Sequence, residues 1–232
     1  MKILGGWIYC DRMSRELAAN AIVIEALIVL VIAPLAGVML ARRAVARSRA
    51  ASAFIGAVAL FTVVCGATAA SGSDRETWLY IAESQATMAS AALALGALGA
   101  CAATLFSDVL DAAASSLAVS AVCGCGIFVA GAPVADMSTT ALNVVLLASP
   151  VVAAASAANI DLFRGAFLYQ YSSVAHRLFA YPAWYAASAL YLAVAVVMLG
   201  AAVLRIRAAT PTSLSSAHHP AHPETLHTLS RR

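Results

Sequence analysis

The fold is decided by residues 20–40, NAIVIEALIVLVIAPLAGVML, which are followed directly by ARRAVARSRA at residues 41–50. A helix rises about 1.5 Å per residue, so this apolar run is long enough to cross the roughly 30 Å hydrocarbon core of a bilayer. Short loops rich in arginine stay on the cytoplasmic side when a helix inserts. The stretch therefore predicts a membrane span whose carboxyl end faces the cytoplasm.

Composition extends this prediction to the whole chain. Its 232 residues are 62% hydrophobic and 11% charged, whereas about a quarter of the residues in a soluble domain are charged. The net charge of +3 belongs mostly to loops and the tail. This argues against nucleic acid as a partner, because nucleic-acid binding needs a concentrated basic face. We predict an all-α, polytopic membrane helix bundle of five to six transmembrane segments, surrounded by the lipids of a bacterial cytoplasmic (inner) membrane.

The apolar runs divide the chain into three parts. Residues 1–18 mix aromatic and charged residues, which is typical of an amphipathic segment at the membrane interface. Residues 19–207 are predicted to form the transmembrane domain, and the polar, proline-containing residues 208–232 a disordered tail. The predicted spans cover residues 19–41, 51–71, 85–106, 112–133, 139–158 and 182–206. Charged residues in segment 72–83 predict a short loop or half-helix before the third span.

The stretch 139–158 leaves two alternatives open, because it carries Asn143 and Pro150 and is only just long enough to span. It forms either one full helix or two half-helices that meet at Pro150 and re-enter from one side. Re-entry is allowed where protein, rather than lipid, surrounds the break. Re-entry also places Arg205 and Arg207 on the side of the arginine-rich loop, which the positive-inside rule favours.

Few residues are candidates for chemistry inside the membrane. An acid within a span is costly unless it faces the bundle or lies near the interface, so Glu25 is a candidate intramembrane functional acid. Its place two turns into the first span also fits an interfacial position without a transport role. Polar candidates for a transport path are Ser90, Ser115, Ser116, Ser120 and Asn143. Their scarcity favours a hydrophobic or lipid-like substrate, or no substrate.

Catalytic and metal-binding motifs are missing from the sequence. It has no phosphate-binding glycine loop, no HExxH and no GxSxG motif, so we predict a non-enzymatic chain without cofactor or metal. Four of the five cysteines lie in apolar runs and are predicted to be packing residues. The cysteines are Cys10, Cys65, Cys101, Cys123 and Cys125. Four histidines of the tail, between residues 218 and 227, lack the preorganisation that a metal site needs.

Three stretches, taken in order, carry a resemblance to a known family. They are APLAGVMLARR at residues 33–43, LFSDVLDAAASSLAVSA at residues 105–121, and residues 148–199, which begin ASPVVAAASAANIDLFRG. Over residues 20–207 this order of parts resembles the membrane (permease) subunits of type 2 ABC exporters. The resemblance implies a helix that leads into a coupling loop, a helix pair joined by a short turn, and a re-entrant or surface element before the last helix.

The sequence departs from that family at two places. Its connection at residues 41–50 is basic, where the family carries an acidic, glycine-containing coupling segment, and only the short amphipathic start precedes residues 20–40. The chain therefore resembles a permease subunit with a diverged coupling loop and without the family's first helix.

The resemblance also implies partners. A permease subunit of this kind pairs as a homodimer or heterodimer with another permease subunit and docks a separate ATP-binding cassette ATPase, which would hydrolyse ATP. The coupling-loop candidates are Arg42, Arg43, Arg47 and Arg49. The same arginines also fit a role in topology and lipid phosphate contact. An alternative function is that of a non-transporting structural or accessory subunit of a larger membrane complex, which the small residues at 85–132 suit equally well.

Overall fold

The structure, a computed structural model, describes residues 3–42, 57–58, 75–129, 136–164 and 179–209. The helices in these ranges are α1 (Ile3–Arg42), α2 (Arg75–Leu105), α3 (Val109–Val129), α4 (Thr139–Ala148), α5 (Pro150–Ala157) and α6 (Trp184–Ala209), with a 3-10 turn at Leu162–Arg164. Among them, α1, α2, α3 and α6 each contain a segment long and apolar enough to cross a membrane. The chain is a multi-pass membrane helix bundle, which confirms the predicted fold class.

Two helices begin earlier than the sequence pattern suggests. The boundary expected after residue 18 lies inside α1, which runs unbroken for 40 residues. In the same way, α2 begins at Arg75, so most of segment 72–83, expected as a short loop or half-helix, is helical and continuous with the third span. No glycine or proline occurs between Gly6 and Pro34 or between Arg75 and Gly96. Charge alone does not end a helix, because it leaves the backbone free to hydrogen-bond.

Helices α1 and α2 pack side by side in the same direction. Gln85 of α2 contacts Glu25 of α1, and seventeen positions further along α1 the guanidinium of Arg42 donates to the carbonyl of Phe106, 2.6 Å away, just after α2. Between these points Gly37 touches the backbone of Gly96. Residue numbers increase together along both helices, which establishes the parallel arrangement. We call the end of the bundle at which Arg42 bonds to Phe106 the Arg42 end.

Contacts of α3 and α6 fix their directions relative to this pair. The Ser120 hydroxyl of α3 donates to the carbonyl of Leu30 at 2.6 Å, while Ala112, earlier in α3, packs with Val38, later in α1. Helix α3 is therefore antiparallel to α1. On α6, Ser188 meets Thr87 of α2, and the two helices then continue together through one apolar cluster. Helix α6 is therefore parallel to α2.

The remaining predicted segments are described only in part. Of the predicted span 51–71, the structure describes Ala57 and Val58, which are helical, and Val58 packs against the core formed by α1, α2 and α5. The predicted tail lies beyond the described residues from position 210 onward.

Candidate functional site

Helices α4 and α5 meet at a sharp break, with an angle of 87° between them. Ser149 stands between the two helices, and its hydroxyl accepts from the N–H of Val152 at 3.5 Å and so caps α5. Pro150 is the first residue of α5, a position where its missing N–H costs nothing. The dipeptide Ser149–Pro150 thus ends one helix and begins the next, and we call this point the Ser149 break.

The Ser149 break lies at mid-depth in the bundle. The Ser149 hydroxyl donates to the carbonyl of Gly124 on α3 at 3.0 Å. Gly124 in turn lies against the side chain of Leu30, which is near the middle of the candidate span Asn20–Arg42. Every residue of α5 except Ser156 is buried. Protein therefore surrounds the break, which is the condition for irregular backbone at this depth in a membrane.

Neighbouring helices hydrogen-bond the backbone around the break. The Tyr191 hydroxyl of α6 donates to the carbonyl of Leu147 at 3.0 Å. This carbonyl is one of the last four of α4, which receive no hydrogen bond from an N–H of their own helix. At the other end of α5, Asn159 has a positive φ of 57°. The N–H groups of Asn159 and Ile160 return to the carbonyls of Ser156 and Ala155, and so close the helix.

The chain then returns to the end of the bundle from which it entered. Ser156 donates to the carbonyl of Pro182 at 2.9 Å, and the Asn143 side chain accepts from the N–H of Ala180 at 3.3 Å. Both contacts tie the broken pair to the residues just before α6. Because α3 and α6 run in opposite directions, the connection between them starts and finishes at the end opposite Arg42. This polarity favours the re-entrant alternative.

Aromatic rings cover the buried side of this return. The ring centroid of Phe163, whose side chain is 1% exposed, lies 5.6 Å from that of Phe128, 5.3 Å from that of Phe179 and 6.4 Å from that of Tyr181. Ring pairs at these separations are worth about 0.5–1.5 kcal/mol each beyond the area they bury. The cluster fixes the start of α6 against the outgoing end of α3.

Glu25 faces protein rather than lipid or water. Its side chain is 5% exposed, and its Oε2 accepts from the Gln85 side-chain nitrogen of α2 at 2.7 Å. Sequence reasoning singled out Glu25 but missed Gln85. A signal was present, because Gln85 shares a helical face with the buried residues Met88, Ala92 and Leu95. A polar residue in phase with an apolar face indicates a polar partner inside the bundle.

The few polar candidates for a transport path do not converge in the described part of the bundle. The hydroxyls of Ser90 and Ser116 donate to carbonyls one turn earlier in their own helices, at 2.8 and 3.0 Å. Ser120 and Asn143 bond to the backbone of neighbouring elements, as described above, and Ser115 is half-buried. These groups contribute to packing and to backbone hydrogen bonding.

Only the first of the four coupling-loop candidates falls within the described residues. Arg42 binds the carbonyl of Phe106 and thereby links the exit of α1 to the α2–α3 turn. Arg43, Arg47 and Arg49 lie in a part of the chain for which the structure gives no placement. In the described ranges Cys101, Cys123 and Cys125 are free thiols, and the acidic, histidine and cysteine side chains do not gather into a metal-binding group.

Comparisons of the chain with protein-family models, with characterised proteins and with solved structures gave no match.

The cap at the break gives a testable prediction with a matched control. Ser149→Ala removes the cap of α5 and also the additional hydrogen bond that its hydroxyl gives to the carbonyl of Gly124, and each loss costs about 1 kcal/mol. Ser138→Ala removes the corresponding cap of α4, where the exposed serine hydroxyl accepts from the N–H of Ala141 and has no second bond to the described part of the chain. Detergent-induced unfolding of the purified protein should therefore show a larger loss for Ser149→Ala. Equal losses of stability in the two variants would contradict the hydrogen bond from Ser149 to the carbonyl of Gly124.

Proposed function

We propose that this chain is the permease subunit of an ABC exporter, moving a hydrophobic or lipid-like substrate with energy from a separate ATPase subunit. The observation that carries the proposal is the Ser149 break, a buried discontinuous helix pair at mid-depth. Membrane transporters build substrate sites from discontinuous helices at this depth, whereas a helix that only anchors a complex has no need of one.

The position of the broken pair in the chain supports the same function. Among the described helices it precedes α6, the last of the candidate spans, and the resemblance to type 2 ABC exporters implies a re-entrant element at this place. Helices α1 and α2 both end at the Arg42 end, where the Arg42 side chain joins them. A partner that moves the arginine-rich loop would therefore act on both helices together.

The described side chains also bear on the substrate. Among them, the buried hydroxyls facing the bundle are mostly bonded to backbone carbonyls, as for Ser90, Ser116 and Ser120. A hydrophilic solute loses its hydrogen bonds to water inside the bilayer and needs polar groups of the protein in their place. Few such groups are left free among these side chains. This favours an apolar or amphipathic substrate.

Charge reversal in the loop tests the proposed coupling. Arg43→Glu/Arg47→Glu/Arg49→Glu keeps Arg42, so that the bond to Phe106 and the exit of α1 stay intact. We expect the ATPase subunit that co-purifies with the wild-type chain from native membranes to be lost, because the basic docking surface is removed. Arg205→Glu/Arg207→Glu is the matched control: both residues are exposed near the end of α6 at the same end of the bundle, and association should persist.

The same experiment separates the exporter from the structural subunit. Co-purification of a P-loop ATPase, with ATP hydrolysis that depends on the loop arginines, supports the exporter. Unchanged association in the triple variant, with the helices still inserted, refutes coupling through this loop. Recovery of a membrane complex without an ATPase identifies the chain as a structural or accessory subunit.

A further inference from the structure

The contact between Glu25 and Gln85 leaves two buried acceptors without a donor in the described structure. Gln85 gives one N–H to Glu25 Oε2, while Glu25 Oε1 and Gln85 Oε1 have no hydrogen-bond partner. Both side chains are more than nine-tenths buried, at 5% and 9% exposure. Buried acceptors without a donor are rare in native proteins, because each loses its bonds to water and gains nothing in return.

Within the part of the chain that the structure describes, the surroundings of the pair offer no positive charge. On the same face of α1, Ile22, Ala26 and Val29 are buried apolar residues, and α2 and α5 add further apolar side chains to this cluster. The titratable groups on the packed elements nearest to the pair in the described sequence are Tyr80 and Glu83 of α2, with Cys125 of α3 against the same cluster. None of them is a cation, and an isolated carboxylate in apolar surroundings is strongly disfavoured.

We propose that Glu25 and Gln85 form a proton-binding site inside the bundle. The proton resides on Glu25 Oε1 and is donated to Gln85 Oε1, so that the carboxylic acid and the carboxamide pair along both edges. One proton thus neutralises the buried carboxylate and supplies the donor that both orphan oxygens lack. The inference rests on these two side chains and does not depend on the proposed transport function.

Infrared spectroscopy of the full chain in lipid bilayers at neutral pH tests the protonation state directly. Glu25→Gln should remove the carbonyl stretch of a protonated carboxylic acid. Glu83→Gln, two residues before Gln85 and half-buried, is the matched control and should leave the carbonyl stretch assigned to Glu25 in place. Loss of a carboxylate band in Glu25→Gln would overturn the proposal.

Chemical labelling of the wild-type chain gives an independent measurement that needs no variant. Dicyclohexylcarbodiimide enters bilayers and forms a stable adduct with protonated carboxyl groups, so peptide mass spectrometry should find the adduct on Glu25. The absence of an adduct on Glu25 would overturn the proposal. Protection by Na⁺ but not by choline at equal ionic strength would also overturn it, since the oxygens would then hold a metal cation instead of a proton.

Discussion

Replacing Gly99 with alanine is expected to push α1 and α2 apart and to lower the free energy of unfolding by about 1–3 kcal/mol, the usual cost of overpacking. A Cβ at this position would overlap the backbone carbonyl of Pro34. Gly37→Ala meets the same obstacle from the other helix, where the carbonyl of Gly96 lies in the way. Backbone cannot rotate aside as a side chain does, so the whole helix must shift.

Two other glycines serve as graded controls for this prediction. Gly200 on α6 has open space around its Cβ position, so Gly200→Ala should be neutral or stabilise the helix by up to about 1 kcal/mol. The atoms nearest to a Cβ at Gly124 belong to the flexible side chain of Leu30, so Gly124→Ala should cost less than Gly99→Ala. Unfolding in a detergent titration measures all of these variants. Equal stabilities of the Gly99→Ala and Gly200→Ala proteins would contradict the close approach of α1 and α2.

Gln85→Leu is expected to destabilise the bundle by about 1–3 kcal/mol, because it leaves the buried carboxyl of Glu25 without its partner. Glu25→Leu leaves the Gln85 carboxamide unpaired and should have a cost of the same order. The double variant removes both polar groups and fills the space with apolar atoms, so it should be more stable than either single variant. This order of stabilities is the signature of a buried polar pair.

Double-mutant-cycle analysis of the same four proteins gives the coupling between the two side chains. Polar pairs between membrane helices are coupled by about 0.6 kcal/mol on average and by up to about 1.7 kcal/mol. Because the double variant is expected to be more stable than either single variant, the coupling energy between Glu25 and Gln85 should exceed the larger single loss and so lie at or above the upper end of this range. Additive losses in the double variant would contradict the contact.

Much of the fold could be predicted from the sequence because the bilayer is a demanding solvent. The length of the apolar runs was enough to locate α1, α3 and α6. Pro150, in a run only just long enough to span the membrane, correctly indicated that the stretch 139–158 could be broken. Residues 3–18, expected as part of a separate interfacial segment, are continuous with α1, and most of segment 72–83, expected as a loop or half-helix, belongs to α2. In both places the backbone carries the helix through the charged residues.

The candidate site was predicted only in part, because its chemistry depends on pairs of distant residues. Glu25 stands out in its span by itself, but its partner lies 60 positions away and the contact depends on the register of two parallel helices. Ser90, Ser116 and Ser120, three of the few polar candidates for a transport path, bond to carbonyls in the described bundle. Composition counts polar groups and does not show which bonds they make.

By itself the sequence determined that this chain is a helical membrane protein, where its main spans lie, and at which proline a helix could be interrupted. Only the tertiary structure decided the directions of the helices, the depth of the Ser149 break, and the pairing of Glu25 with Gln85. The physical reason is that burying apolar length in lipid requires only consecutive residues. Helix direction, close approach and hydrogen bonding are set by contacts between segments far apart in the chain, such as those of Gly99 with Pro34 and of Ser149 with Gly124.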